Sequence, residues 1–203
     1  RRKQTPDFPI RVTKLSHEGR GLVRWGERML FIDGALPDEL VSVRVTKKSS
    51  KTAEGVAKEI LVPSPVRGQP ECPHAAVCGG CSLQHLPHQS QINHKSNTLD
   101  ELMTREGIAL DQVTRPPPLL GPTLGYRRRA RLGVRWVHAK GRVLVGFRER
   151  GSNFIADIDG YPVLDPRIGE SLDQLETTIA ALSAPDRIPQ VEVAAGDDTV
   201  AVV

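Results

Sequence analysis

Between residues 8 and 62 apolar and polar positions alternate in short bursts separated by glycines. "FPIRVTKL" alternates weakly, and "GLVRW" and "RMLFI" flank Gly26. "LVSVRV" sets Val41, Val43 and Val45 on one face against Ser42 and Arg44 on the other, and "EGVAKEILV" follows. A period of two marks strands with one buried face. Five short strands, punctuated by Gly19, Gly21, Gly26, Gly34 and Gly55, predict a small closed or half-closed β barrel of the OB type over residues 1–62. Curling a small sheet in this way limits the strand edges it leaves open.

The pattern then breaks. "PSPVRGQP" (Pro63 to Pro70) holds three prolines and a glycine, so residues 63–84 read as a linker followed by a cysteine-rich loop. Across 88–106, Ile92, Leu99, Leu102 and Met103 fall on one helical stripe that Gly107 ends, and "TRPPPLLGP" is extended at its prolines. Residues 85–124 are therefore a helix and a proline-rich connector. Alternation returns in "RARLGVRWV", where Arg129, Arg131 and Arg135 oppose Leu132, Val134 and Trp136, with Gly133 as an irregularity. "GRVLVGF" pairs with it across "HAKG" (His138 to Gly141), and "SNFIADI" reads as a third strand. Ile168, Leu172, Leu175, Ile179 and Leu182 predict one amphipathic helix over 167–182, and "QVEVA" and "TVAVV" predict closing strands. Residues 125–203 thus read as an α+β domain. The start at Arg1 and the closing strand run suggest a piece of a longer polypeptide.

The size and apolar content, 203 residues at 38% hydrophobic, allow one medium domain or two small ones. No apolar run approaches the roughly 20 residues that cross a bilayer. The charged, polar start does not read as a secretory leader. The expectation is a cytoplasmic protein, a monomer with no membrane partner, whose cysteines stay reduced and bind metal or react. Charge is divided along the chain. Residues 126–150 carry nine Lys or Arg against one acid, a balance of +8, and residues 157–203 carry ten acids against two Arg, a balance of −8. Such asymmetry suggests a face for an anionic partner.

The chemistry concentrates in "CPHAAVCGGCSLQH". It holds all three cysteines, Cys72, Cys78 and Cys81, spaced C-x5-C-x2-C around Gly79-Gly80. Glycines there let the backbone bend so that thiolates face one centre. Soft thiolates suit zinc or an iron–sulfur cluster, each of which usually takes four protein ligands. His74, His85 or His88 could complete a structural zinc site. "YRRRARLGVRW" is the main RNA-binding candidate, through Arg127, Arg128, Arg129, Arg131 and Arg135, because guanidinium groups pair with phosphates and stack on bases. Strand alternation would place Arg127, Arg129 and Arg131 on one face, with Arg128 opposite. Tyr126, Trp136 and Phe147 are candidate stacking surfaces. In the barrel, Lys14, Arg20 and Arg24 with Lys47, Lys48 and Lys51 could line an RNA face, with "KKSSK" as a mobile loop on phosphates.

These motifs resemble a known family. "CPHAAVCGGCSLQH" matches the C-x5-C-G-G-C-x-x-Q-H signature of RNA uracil-C5 methyltransferases that carry a [4Fe–4S] cluster. "HEGRGLVRWGERMLFIDGALPDE" resembles their TRAM domain, an OB-like RNA-binding module, and "YRRRARLGV" and "VGFRERGSNFIADIDGYPVLDP" resemble their central domain. The resemblance implies the RNA-recognition part of an S-adenosylmethionine-dependent enzyme acting on a flipped-out or single-stranded uracil of 23S ribosomal RNA, with a tRNA-specific relative as the alternative. It places the cofactor-binding Rossmann-like domain and the catalytic residues outside this chain, which alone should bind RNA without methylating it. It assigns Cys72, Cys78 and Cys81 to the cluster, but the fourth cluster cysteine falls at Tyr161 in "DGYPVLDP". A tyrosinate, a histidine, a solvent ligand or a lost cluster are the resulting readings. A stand-alone RNA-binding module with a structural zinc site is the rival reading of the whole chain.

Overall fold

The computed structural model describes residues 6–203. They divide into two compact units, residues up to Glu71 with Cys81–Leu119, and Cys72–Gly80 with Leu120–Val203.

The first unit contains the expected β structure. β1 (Phe8–Arg11), β2 (Lys14–Leu15), β3 (Gly21–Trp25), β4 (Arg28–Asp33), β5 (Leu40–Lys48) and β6 (Thr52–Val62) form one sheet in the order β1-β5-β6-β4-β3-β2. All neighbours are antiparallel except the parallel pair β4–β6. The predicted first strand is two strands. At Val12 the backbone turns to bond the loop before β5, with Val12 N–H donating to the Glu39 carbonyl at 2.9 Å and Asp38 N–H to the Val12 carbonyl at 3.0 Å. The chain thus leaves one side of the sheet and joins the other.

The sheet curls into a half-barrel. Register shifts at Leu40/Val41, Ser42/Val43 and Val45/Lys47 bend β5 against β6, as bulges do. Phe8 from the β1 edge stacks on Trp25 of β3 at 5.3 Å, although three strands separate β1 from β3 in the order. Inside lie Val12, Val23, Leu30, Ile32, Ala35, Val41, Val43 and Ala53; of the face marked by alternation in β5, Val41 and Val43 are buried and Val45 is partly buried. Gly55 is required where strands press together, since a Cβ there would lie 2.9 Å from the Arg44 carbonyl oxygen.

α1 (His88–Arg105) matches the predicted helix, but none of its residues is buried. Of the predicted stripe, Leu99 is 50% exposed and Leu102 38%.

The second unit is a four-stranded antiparallel sheet in the order β10-β9-β7-β8. Its strands are β7 (Arg129–Val137), β8 (Arg142–Gly146), β9 (Gln190–Ala195) and β10 (Val200–Val202). β7 and β8 turn over His138–Lys140 into Gly141, whose φ of 62° is left-handed. Three expectations need correction. "SNFIADI" is not a strand; it makes only an isolated bridge between Arg148 and Ile155. Gly133 is not an irregularity in pairing, because it keeps register with both neighbours; it is small because a Cβ would lie 2.4 Å from Ile155 Cδ1. The single helix breaks into α2 (Pro166–Gly169) and α3 (Leu172–Ala180). Asp165 caps α2 by accepting from Arg167 N–H at 3.1 Å. Leu172 and Ile179 bury the inner face of α3, which packs on β8, while Leu182 lies beyond the helix and is exposed.

Candidate nucleic-acid interface and cysteine loop

In the first unit three of the basic residues picked from sequence are already engaged, while Lys14, Arg24 and Lys51 are exposed. Arg20 donates to Asp33 at 2.8 Å and lies over the Phe31 ring, 5.5 Å from its centroid. Lys47 pairs with Glu54 at 3.4 Å, and Lys48 lies over Trp25 at 4.8 Å. The "KKSSK" segment is a tight β5–β6 connection rather than a loose loop. Ser49 N–H donates to the Thr52 carbonyl at 2.8 Å, and Thr52 N–H returns to Ser49 Oγ at 3.2 Å. This turn leaves Lys51 exposed at its tip.

In the second unit the two oppositely charged stretches fold onto each other. β7 carries exposed Arg129 and Arg131 beside β9, where Arg131 faces Glu192 in register. Arg131 Nε donates to Glu192 Oε1 at 2.9 Å and Arg129 Nη2 to Glu192 Oε2 at 3.1 Å. The hydrogen bonds from Arg131 and Arg129 hold the Glu192 carboxyl below its ordinary range. Arg128 pairs with Asp197 at 2.8 Å. Arg142 and Lys140 converge on Asp157, whose pKa is lowered first by the Lys140 hydrogen bond. Arg135 is exposed on the outer face of β7.

Arg127 does not share that face. It is half-buried, donates to the Gly80 carbonyl at 3.2 Å and lies 5.4 Å from the Phe147 centroid. Among the stacking candidates Tyr126 is exposed, whereas Trp136 and Phe147 are half-buried. Phe154, outside that candidate set, is 64% exposed, more than Tyr126 at 49%.

The cysteine loop crosses the division between the units: Cys72 and Cys78 belong to the second, Cys81 to the first. Cys78 is buried and bridges Glu149, and Gly80 N–H points at its Sγ at 3.3 Å. Gly79-Gly80 also serves close approach. A Cβ on Gly79 would lie 2.8 Å from the Arg148 carbonyl, and one on Gly80 2.6 Å from the Phe147 ring. His85 is buried in the first unit, where its carbonyl accepts from Gly68 N–H at 3.0 Å. Among the described residues, no group of three or more His, Cys, Asp or Glu is poised to hold a metal ion.

Position 161, where the resemblance puts a fourth thiolate, is part of the core. The Tyr161 phenol is buried, donates to the Ala156 carbonyl at 3.1 Å and meets Phe147 edge-to-face at 5.1 Å. Burial, with Cys78 nearby, pushes its pKa up, so it stays a neutral phenol. The side chains at hand therefore do not fit a cluster closed through residue 161.

Comparison with known proteins places the barrel. Residues 6–58 match the TRAM domain family. They form a TRAM domain. The whole chain is 49% identical to the 23S rRNA (uracil(1939)-C(5))-methyltransferase of Alkalilimnicola ehrlichii and 45% identical to that of Alcanivorax borkumensis, in each case spanning 46% of the relative. The Bordetella pertussis protein of the same name is 44% identical over 96% of the chain. The chain thus spans a little under half the length of the curated relatives it matches. Its fold is similar to the crystal structure of Pyrococcus abyssi tRNA (uracil-54, C5)-methyltransferase in complex with S-adenosyl-L-homocysteine. That match has a TM-score of 0.63 at 24% identity and covers 96% of this chain and 44% of the other. No helix among the described residues is long and apolar enough to cross a membrane.

Proposed function

We propose that this chain is the RNA-recognition part of an S-adenosylmethionine-dependent methyltransferase that acts on C5 of a uracil in 23S ribosomal RNA. The similarity over the full chain to proteins of that name carries the reading, and the TRAM domain supports it. In this reading the chain binds and positions RNA, while methyl transfer belongs to the half of the relatives that it does not span.

The exposed arginines of the second unit suit that role. Guanidinium groups on a sheet face grip the phosphate chain and fix its register, and exposed rings such as Tyr126 and Phe154 offer stacking surface for unpaired bases. Lys51 at the tip of the β5–β6 turn adds a phosphate contact from the TRAM domain.

For the cysteine loop we propose a structural role that does not depend on a [4Fe–4S] cluster closed at residue 161. Gly79 N–H donates to the Arg148 carbonyl at 2.8 Å and Arg150 N–H to the Val77 carbonyl at 2.9 Å. Those bonds hold the loop beside the arginines at 148 and 150.

Fluorescence anisotropy of this chain with a labelled single-stranded segment of 23S RNA around uracil 1939 tests the proposal. The expected result is binding that weakens steeply with salt, as phosphate contacts require, and that exceeds binding to a tRNA of similar length. Stronger binding to tRNA transfers the reading to the tRNA class. No binding to either RNA overturns it.

A further inference from the structure

By charge alone, the basic stretch is a face for an anionic partner. The structure shows instead that one carboxylate occupies the convergence point of two of its arginines. Arg129 and Arg131 stand two residues apart on the exposed face of β7, with side chains 78% and 65% exposed. Both turn to Glu192 on β9, which uses Oε1 for Arg131 and Oε2 for Arg129. Two guanidinium groups closing on the two oxygens of a single small anion is the geometry that a phosphate group receives. Beside Glu192 on β9, Gln190 and Ala194 carry no charge. Across on the β10 side lies Val203, which exchanges backbone hydrogen bonds with Glu192 at 2.7 and 2.8 Å. Farther along the same face of β7 comes Arg135.

We propose that Arg129 and Arg131 form a phosphate clasp for RNA, and that Glu192 holds the place of the phosphate until RNA displaces it. The inference rests on the RNA-binding reading and adds the regulation of that site. An exposed pair of this kind is weak in water, so an incoming phosphate exchanges with the carboxylate at small cost. The exchange also discriminates. A lone phosphate gains little over Glu192, whereas an RNA strand with several contacts overcomes it, so weak non-specific contacts are suppressed.

The test is E192Q, which keeps the shape and removes the charge. Anisotropy with the labelled RNA should show affinity raised roughly threefold or more at low salt, the worth of about one ionic contact. In a chain carrying R129Q and R131Q, the same change should give no gain. Independently of any variant at position 192, R129Q and R131Q should each weaken binding more than R135Q, because each loses a clasp member and leaves Glu192 to repel the strand. Unchanged or weaker binding by E192Q, while the unaltered chain binds, overturns the clasp and leaves the RNA reading standing. Equal losses in R129Q, R131Q and R135Q also overturn the clasp. Absence of binding by both the unaltered chain and E192Q overturns the RNA reading, and the clasp with it.

Discussion

Tyr161 lies directly over Gly146: a Cβ at residue 146 would fall 1.8 Å from the phenol oxygen and 2.5 Å from Cζ. The tyrosine therefore fits only because the facing residue on β8 has no side chain. Gly146→Ala should destabilise the second unit by about 1–3 kcal/mol through overpacking. Most of that cost should vanish in a Tyr161→Ala background, which removes the ring that the methyl group would strike. Urea unfolding of the four variants measures the coupling, and simple additivity would show that the ring can swing aside.

The same packing bears on metal. Tyr161 has its hydroxyl committed to the Ala156 carbonyl and its ring against Phe147. Binding a cluster would require breaking the bond and stripping the proton in a buried site. Protein purified without oxygen should hold far fewer than the about four irons and four sulfides per chain of a [4Fe–4S] centre. Tyr161→Cys should raise both. A full complement of iron in the unaltered protein would show that a ligand other than Tyr161 closes the site.

The strands were legible in sequence wherever alternation persists for several residues on a half-buried sheet. β7 lies where "RARLGVRWV" put it, and Val41 and Val43 point inward as expected. What failed was local. "SNFIADI" has the β-branched and apolar residues of a strand, but its backbone bonds go to Phe147 and Glu149 in an irregular pairing that no periodicity reveals. The helix over 167–182 broke at Glu170–Ser171, although its apolar spacing continued through the break. The arginines were visible as a run, yet their partners lie about 60 to 70 residues downstream. Separation of that kind is set by strand pairing and not by local sequence. The acids at 192 and 197 enter the charge balance, but no local pattern in the sequence assigns them a partner.

α1 supplies a converse case. Its stripe predicted a buried face, but Leu99 and Leu102 are exposed and the helix buries no residue. In this chain Leu99→Glu and Leu102→Glu should change unfolding free energy by no more than about 0.5 kcal/mol each, as surface changes do. Leu30→Ala, in the fully buried core of the half-barrel, should cost about 2–5 kcal/mol. Thermal melts of the three variants make the comparison. A large loss at Leu99 would mean that the helix packs in solution.

Glu39 has no sequence signal beyond its place in "ALPDE", yet it anchors the first unit. It is fully buried and accepts from Arg67 Nε at 2.5 Å and Nη2 at 2.8 Å, from Leu36 N–H at 2.8 Å and from Ser64 N–H at 3.1 Å. Burial alone would raise its pKa, but the Arg67 pair and the two backbone donors outweigh burial and the net shift is downward. A carboxyl whose folded pKa lies below its unfolded value near 4.5 stabilises the fold above that value. The stabilisation is lost as pH falls from there through the lowered folded value. Arg67→Ala leaves a buried carboxylate without its cation and should cost about 3–5 kcal/mol at neutral pH. The variant should also lose part of the acid-limb stability change, because Glu39 then titrates nearer its ordinary range. Urea unfolding of both proteins from pH 7 to pH 3 reads the two effects together. Parallel pH profiles would show that other carboxylates carry the acid sensitivity.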